Sequence, residues 1–97
     1  MAEKKNNRYK ILLQEIELKD GTQPEKSIEF EFENHDNILS LIEITKDSDR
    51  FENKSDNTEF IVGLKLFSEV MLRNRSNPLF EDFAPSFKAF MNKLKGR

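Results

Sequence analysis

One histidine stands beside a carboxylate at His35-Asp36, and two arginines flank an asparagine at Arg73-Asn74-Arg75. These are the residues of the chain whose types could do chemistry. An aspartate next to a histidine can orient the imidazole as a general base. Sequence neighbours seldom aim their side chains at each other, however. A strand-to-helix junction also uses Asp and Asn as caps, which is the stronger reading of His35-Asp36. Arg73 and Arg75 offer planar forks of donors suited to a phosphate or carboxylate. They are equally suited to a helix C-terminus, where the dipole favours cations. Together Asn34, His35, Asp36, Arg73, Asn74 and Arg75 form a candidate ligand or partner patch, provided the fold brings the two junctions together.

Other chemistries find less support. The ladder Glu29, Glu31, Glu33 places carboxylates about 7 Å apart along a strand, close enough to share a cation, but it reads better as a solvated face that discourages edge pairing. The sequence has no cysteine, one histidine and three glycines. Disulfides, thiolate catalysis, Cys-based zinc sites and glycine-rich phosphate loops are therefore excluded. No catalytic residue, cofactor or metal is expected, and the chain is not expected to be an enzyme.

Hydrophobic residues make up 36% of the chain and charged residues 35%, which predicts a small core under a heavily charged surface. Nine Phe with one Tyr and no Trp suit a dry core better than hydrogen-bonded recognition. Net charge is only -2, and it is unevenly spread. Residues 1–59 carry 9 basic and 15 acidic side chains, whereas residues 60–97 carry 7 and 3, so the front is acidic and the back basic. Compensation between the halves within the fold is the preferred explanation. Lys88, Lys93, Lys95 and Arg97 make the last helix basic, but its aromatics share the apolar face, so nucleic-acid binding is not expected. No apolar run approaches the roughly 20 residues of a membrane helix, and no membrane partner is expected. The polar start lacks a signal-peptide core, and a cytoplasmic location is expected.

The elements follow from periodicity. Tyr9 to Leu18 reads as a strand, with Ile11, Leu12 and Leu13 running together so that both faces are apolar. Asp20-Gly21 signals a turn. Ser27 to Glu33 alternates cleanly, Ile28, Phe30 and Phe32 against the three glutamates. A helix follows through Ile38, Leu39, Leu41 and Ile42 to about Asp47, capped by Asn34 or Asp36. Residues 47–57 read as a surface loop with Phe51 folding back. Asp56 to Glu59 has capping-box form, so a long helix is predicted from there to about Arg73. That helix is apolar over most of its girth, leaving a strip of Lys65, Ser68, Glu69 and Arg73. It should be central, with another backbone passing close to Gly63. Phe67→Ala is then expected to cost about 3–5 kcal/mol. Asn77-Pro78 opens a short helical piece, and Pro85 starts a last helix ended by Gly96.

The expected fold is α+β: an N-terminal antiparallel β-hairpin packed against three helices (β-β-α-α-α), with residues 1–7 a flexible tail and residues 8–97 a single domain. The blocks Phe30 to Asp36, Gly63 to Leu72, Asn77 to Phe80 and Phe83 to Pro85 resemble the domain of unknown function 3861 family of small uncharacterised bacterial proteins. The likeness spans Tyr9 to Gly96. It implies a small α+β bacterial domain and carries no activity, cofactor or catalytic residue with it. Thr58 to Val62 stands where the family suggests a more alanine-rich helix start.

The first functional expectation is a non-enzymatic protein–protein interaction module. Its partner is another protein or a second copy of itself, with Ile11, Leu12 and Leu13 as the candidate self-association strand. The alternatives are a small-molecule or anion binder using the Arg73/Arg75 turn, and a weak nucleic-acid binder through the basic C-terminal half.

Overall fold

The computed structural model describes residues 6–96. Six elements follow in order: β1 (Asn7–Gln14), β2 (Ser27–Asn34), α1 (Ile38–Thr45), α2 (Asp56–Arg73), α3 (Pro78–Glu81) and α4 (Ala84–Leu94). The architecture is α+β, a hairpin followed by helices, with four helices rather than three because Pro78-Leu79-Phe80-Glu81 closes its own turn. The expected tail over residues 1–7 lies outside the described residues as far as residue 5, and Asn7 already belongs to β1.

The two strands pair antiparallel from Asn7 opposite Asn34 to Gln14 opposite Ser27. That register sets Tyr9, Ile11 and Leu13 against Phe32, Phe30 and Ile28 on one face. The other face carries Arg8, Lys10 and Leu12 against Glu33, Glu31 and Glu29. Its charges satisfy one another diagonally, Arg8 to Glu31 at 2.6 Å and Lys10 to Glu29 at 3.6 Å. The glutamate ladder is thus the partner of β1's own cations. β1 stops at Gln14, four residues before the expected end at Leu18. The Glu15 carboxylate accepts the backbone N–H groups of Glu25 and Lys26, turning the chain into an irregular tip. Gly21 adopts φ 80° in that tip, a left-handed conformation that favours glycine.

Helix boundaries fall close to expectation, but their caps differ. Asn37 caps α1 by accepting from the Ser40 N–H; neither Asn34 nor Asp36 does so. At α2 the N-cap is Ser55, whose hydroxyl donates to Asn53 Oδ1 and caps no helix N–H, so the Asp56 capping box does not form. Asn77 accepts from the Leu79 N–H at α3. Ala84 opens α4 with Pro85 behind it, and Gly96 closes it at φ 78°.

The core is small. Ile38, Ile61 and Met71 are its buried apolar residues, with Asn34 and Asn57 as buried polar ones. Asn57 Nδ2 donates to Thr45 Oγ1 at 2.9 Å, tying α2 to the end of α1. Ring contacts hold α3 and α4 to α2. Phe67 meets Phe80, Phe83 and Phe87 at 5.9–6.1 Å between centroids, and Phe60 meets Phe51 at 5.2 Å and Phe90 at 6.3 Å. Phe51 does fold back.

Two expectations for α2 fail. Apart from the backbone of α2 itself, no atom of the described residues comes within 4 Å of where a Gly63 side chain would start, so no other backbone passes close there. Phe67 is 42% exposed, because among the described residues no layer beyond α3 and α4 closes over it. For a half-exposed ring, Phe67→Ala costs less than in a closed core, about 2–3 kcal/mol.

Candidate functional site

The β2–α1 junction meets the polar strip of α2, and the charged side chains gather there. Asn34 ends β2 fully buried. Its Nδ2 donates to the Lys65 carbonyl at 3.0 Å, and its Oδ1 accepts from the Asp36 N–H at 2.9 Å. Asn34 is thus a staple between strand and helix with no donor or acceptor left facing outward. Tyr9 holds the same junction from β1: its hydroxyl donates to the Asp36 carbonyl and accepts from the Ile38 N–H. One hydroxyl therefore satisfies an orphan donor in the first turn of α1.

Outside the staple, four titratable groups line up. Lys65 Nζ lies 2.8 Å from Asp36 Oδ2, the same oxygen lies 3.6 Å from His35 Nε2, and His35 Nδ1 lies 3.0 Å from Glu69 Oε2. His35 and Asp36 do approach each other despite being sequence neighbours, because the bend between β2 and α1 folds them over α2. Burial works against a charged Asp36. The Lys65 hydrogen bond and charge, with His35 and Lys95 beside them, outweigh it and hold the carboxyl below its ordinary range.

This geometry suits bracing better than catalysis. Glu69 engages Nδ1 of His35, while Nε2 lies 3.6 Å from Asp36, beyond hydrogen-bonding distance. Asp36 and Glu69 sit at opposite nitrogens and cannot converge on one ion with the ring. Among the described residues no group of three or more His, Cys, Asp or Glu could hold a metal.

The two predicted junctions meet only in part. Glu69 joins His35 to α2, and Arg73 stands one turn further along. A groove there is lined by Arg8, Glu31, Phe32, Glu33, Glu69 and Arg73. Three carboxylates against two guanidiniums, one of them already bonded to Glu31, make it a poor anion site. Asn74 turns back to donate to the Val70 carbonyl at 2.7 Å. No ion pair or side-chain hydrogen bond among the described residues joins Arg75 to His35 or Asp36. Sequence reasoning missed Lys65, Glu69 and Tyr9 as partners of the junction. The signal for two of them was present: Lys65 and Glu69, four apart in the polar strip of a greasy helix, must face something polar.

The proposed self-association strand divides by face. Ile11 and Leu13 lie on the apolar face; Leu12 lies among the charges but remains exposed. On the apolar face only the base is covered. Tyr9 and Phe32 pack ring to ring at 5.5 Å where Tyr9 bonds the start of α1, whereas Leu13, Ile28 and Phe30 are open. Beyond them Ile16 stands almost fully exposed in the tip.

Comparison with known proteins accords with this fold. The family model of a domain of unknown function with a solved structure, DUF3861, matches residues 7–96. The crystal structure of a protein of unknown function from Pectobacterium atrosepticum superposes with a TM-score of 0.80 at 36% identity, covering 95% of this chain and 99% of that one. No curated protein matches the chain. No helix among the described residues is long and apolar enough to cross a membrane.

Proposed function

Because the chain belongs to the DUF3861 family of domains of unknown function, no activity carries over from its relatives, and we propose that it is a non-enzymatic protein–protein interaction module that docks through the apolar face of its hairpin. One observation carries this reading: the hairpin finishes its charged face with internal ion pairs and leaves the outer half of its apolar face uncovered. Leu13 and Ile28, directly opposite each other, are 68% and 56% exposed. Apolar side chains clustered on a projecting element, rather than scattered singly, are the usual mark of an interaction surface. The His35 cluster supports the reading indirectly, since its groups are occupied with one another.

A photo-crosslinking amino acid placed at Leu13 and, separately, at Lys10 on the charged face tests it in cells of the source organism. A protein adduct at Leu13 that is absent at Lys10 is expected. Equal labelling at both positions, or none at either, overturns the reading.

A further inference from the structure

Resting on that reading, we propose that the occupant of the hairpin face is a second copy of this chain, docked reciprocally: the hairpin arm of each copy lies on the α2–α4 aromatic face of the other. Three observations lead there.

The first is area. The chain exposes 8471 Å², against about 5,800 Å² for a folded monomer of its 11.5 kDa mass. Residues 1–5 and 97 account for at most about 1,000 Å² of the difference even as extended chain. Roughly 1,700 Å² per chain remains, within the range that each partner buries in an obligate dimer. The radius of gyration agrees, at 16.4 Å against about 12.5 Å for a packed domain of this length.

The second is that each chain carries two uncovered apolar patches of different kinds. One is aliphatic and lies on the arm, at Leu13 and Ile28 with Phe30. The other is aromatic and lies on the helices, where Phe67, Phe83 and Phe90 are half-exposed members of one string of rings. A two-fold axis that sets arm on aromatic seat covers all four patches and closes the assembly.

The third is charge, which separates this arrangement from arm against arm. Residues 13–30 carry five carboxylates and two lysines, a net -3, whereas residues 81–96, which hold Phe83 and Phe90 of the seat, carry three lysines against Glu81 and Asp82, a net +1. Arm on arm sets two acidic surfaces together; arm on seat sets acid against base, and like-charge juxtaposition disfavours the former. The acidic front and basic back of the sequence then compensate between copies.

Light scattering after size exclusion at micromolar concentration tests this, with each variant checked by circular dichroism. The wild type is expected at twice the chain mass. Leu13→Asp lesions the arm. Phe90→Asp lesions the seat, and Lys88→Glu/Lys93→Glu does so without touching the ring cluster. Each alone is expected to weaken the dimer roughly 100-fold or more, because each change enters both contacts. Mixing an arm variant with a seat variant is expected to restore dimers, since one arm and one seat remain intact in the mixed pair. A monomeric wild type overturns the proposal, as does a mass that keeps growing with concentration. Seat variants that stay dimeric while Leu13→Asp dissociates overturn the arm-on-seat pairing, and so does a mixture that stays monomeric. A monomeric wild type whose Leu13 crosslinker still captures a different protein ends the second-copy proposal and leaves the interaction reading standing.

Discussion

The base and the arm of the hairpin are built from the same two strands, in one register, with the same alternation of apolar and charged residues. Their surroundings differ completely. At the base, Tyr9 bonds the start of α1 and packs on Phe32, Asn34 is buried with both ends of its amide used, and four titratable groups brace one another. In the arm, Leu13 and Ile28 pair across the strands with nothing above them. Alternation tells which face is apolar; it says nothing about how far along that face the protein's own helices reach. α2 reaches β2 at Asn34 and α1 meets β1 through the Tyr9 hydroxyl at Ile38, so the helical cover ends where the base ends.

The contrast is broken most directly by deleting rings and branches along that one face. Phe32→Ala is expected to cost about 2–4 kcal/mol, because it removes a half-buried ring packed on Tyr9 and Phe30. Leu13→Ala, in the same face and four residue pairs further out, is expected to cost under about 0.5 kcal/mol when measured by denaturant unfolding at a dilution that keeps chains apart. Equal losses at the two positions would show that the arm is covered within the single chain. A Leu13→Ala loss that grows with protein concentration would sharpen the contrast into an interface.

A smaller effect is expected at the staple. Asn34→Ala removes two hydrogen bonds from a buried site and leaves the Asp36 N–H without its acceptor, so about 2 kcal/mol is expected from thermal or denaturant melts. Asn34→Asp retains the acceptor for the Asp36 N–H but sets a buried carboxylate oxygen against the Lys65 carbonyl, and should cost more than Asn34→Ala at neutral pH. A neutral Asn34→Ala would mean that the base is held by its rings alone.

The hairpin, the long helix from Asp56 to Arg73 and the Gly96 stop were legible because each follows from a local pattern: period two, period near 3.6, and a glycine after the last turn. The caps were less so. Asn34, Asp36 and Asn37 all fit the cap of α1, and the choice turns on where Asn34 is buried, which is decided by α2 some 30 residues later. The burial of Phe67 was misjudged for a related reason. A stripe of apolar residues requires cover, but the sequence of one chain does not say whether that chain supplies it. Half of the candidate patch was legible as well: His35 and Asp36 do reach α2. The partners they find there, Lys65 and Glu69, were visible only as a polar strip with no stated purpose.

The finest comparison is between two carboxylates, one in each region. Asp36 at the base is held below its ordinary value of 3.8 despite burial, chiefly by the Lys65 bond. Glu15 at the tip is held below its ordinary 4.5 by the Glu25 and Lys26 N–H groups. In both, the folded value lies below the unfolded one. Their stabilisation is therefore present above the unfolded value and is lost as pH falls through the folded one. The regions should lose it differently. Asp36 joins β2, α1 and α2, so its protonation should weaken the whole fold, and Asp36→Asn is expected to flatten the fall in Tm below about pH 4. Glu15 is half-buried and its carboxylate joins only the tip to itself. Glu15→Gln should leave Tm and its acid slope unchanged, while amide exchange at Glu25 and Lys26, measured at neutral pH, becomes faster. If Glu15→Gln flattens the acid slope as strongly as Asp36→Asn, the arm unfolds together with the base, and the division between them is one of exposure without a difference in stability.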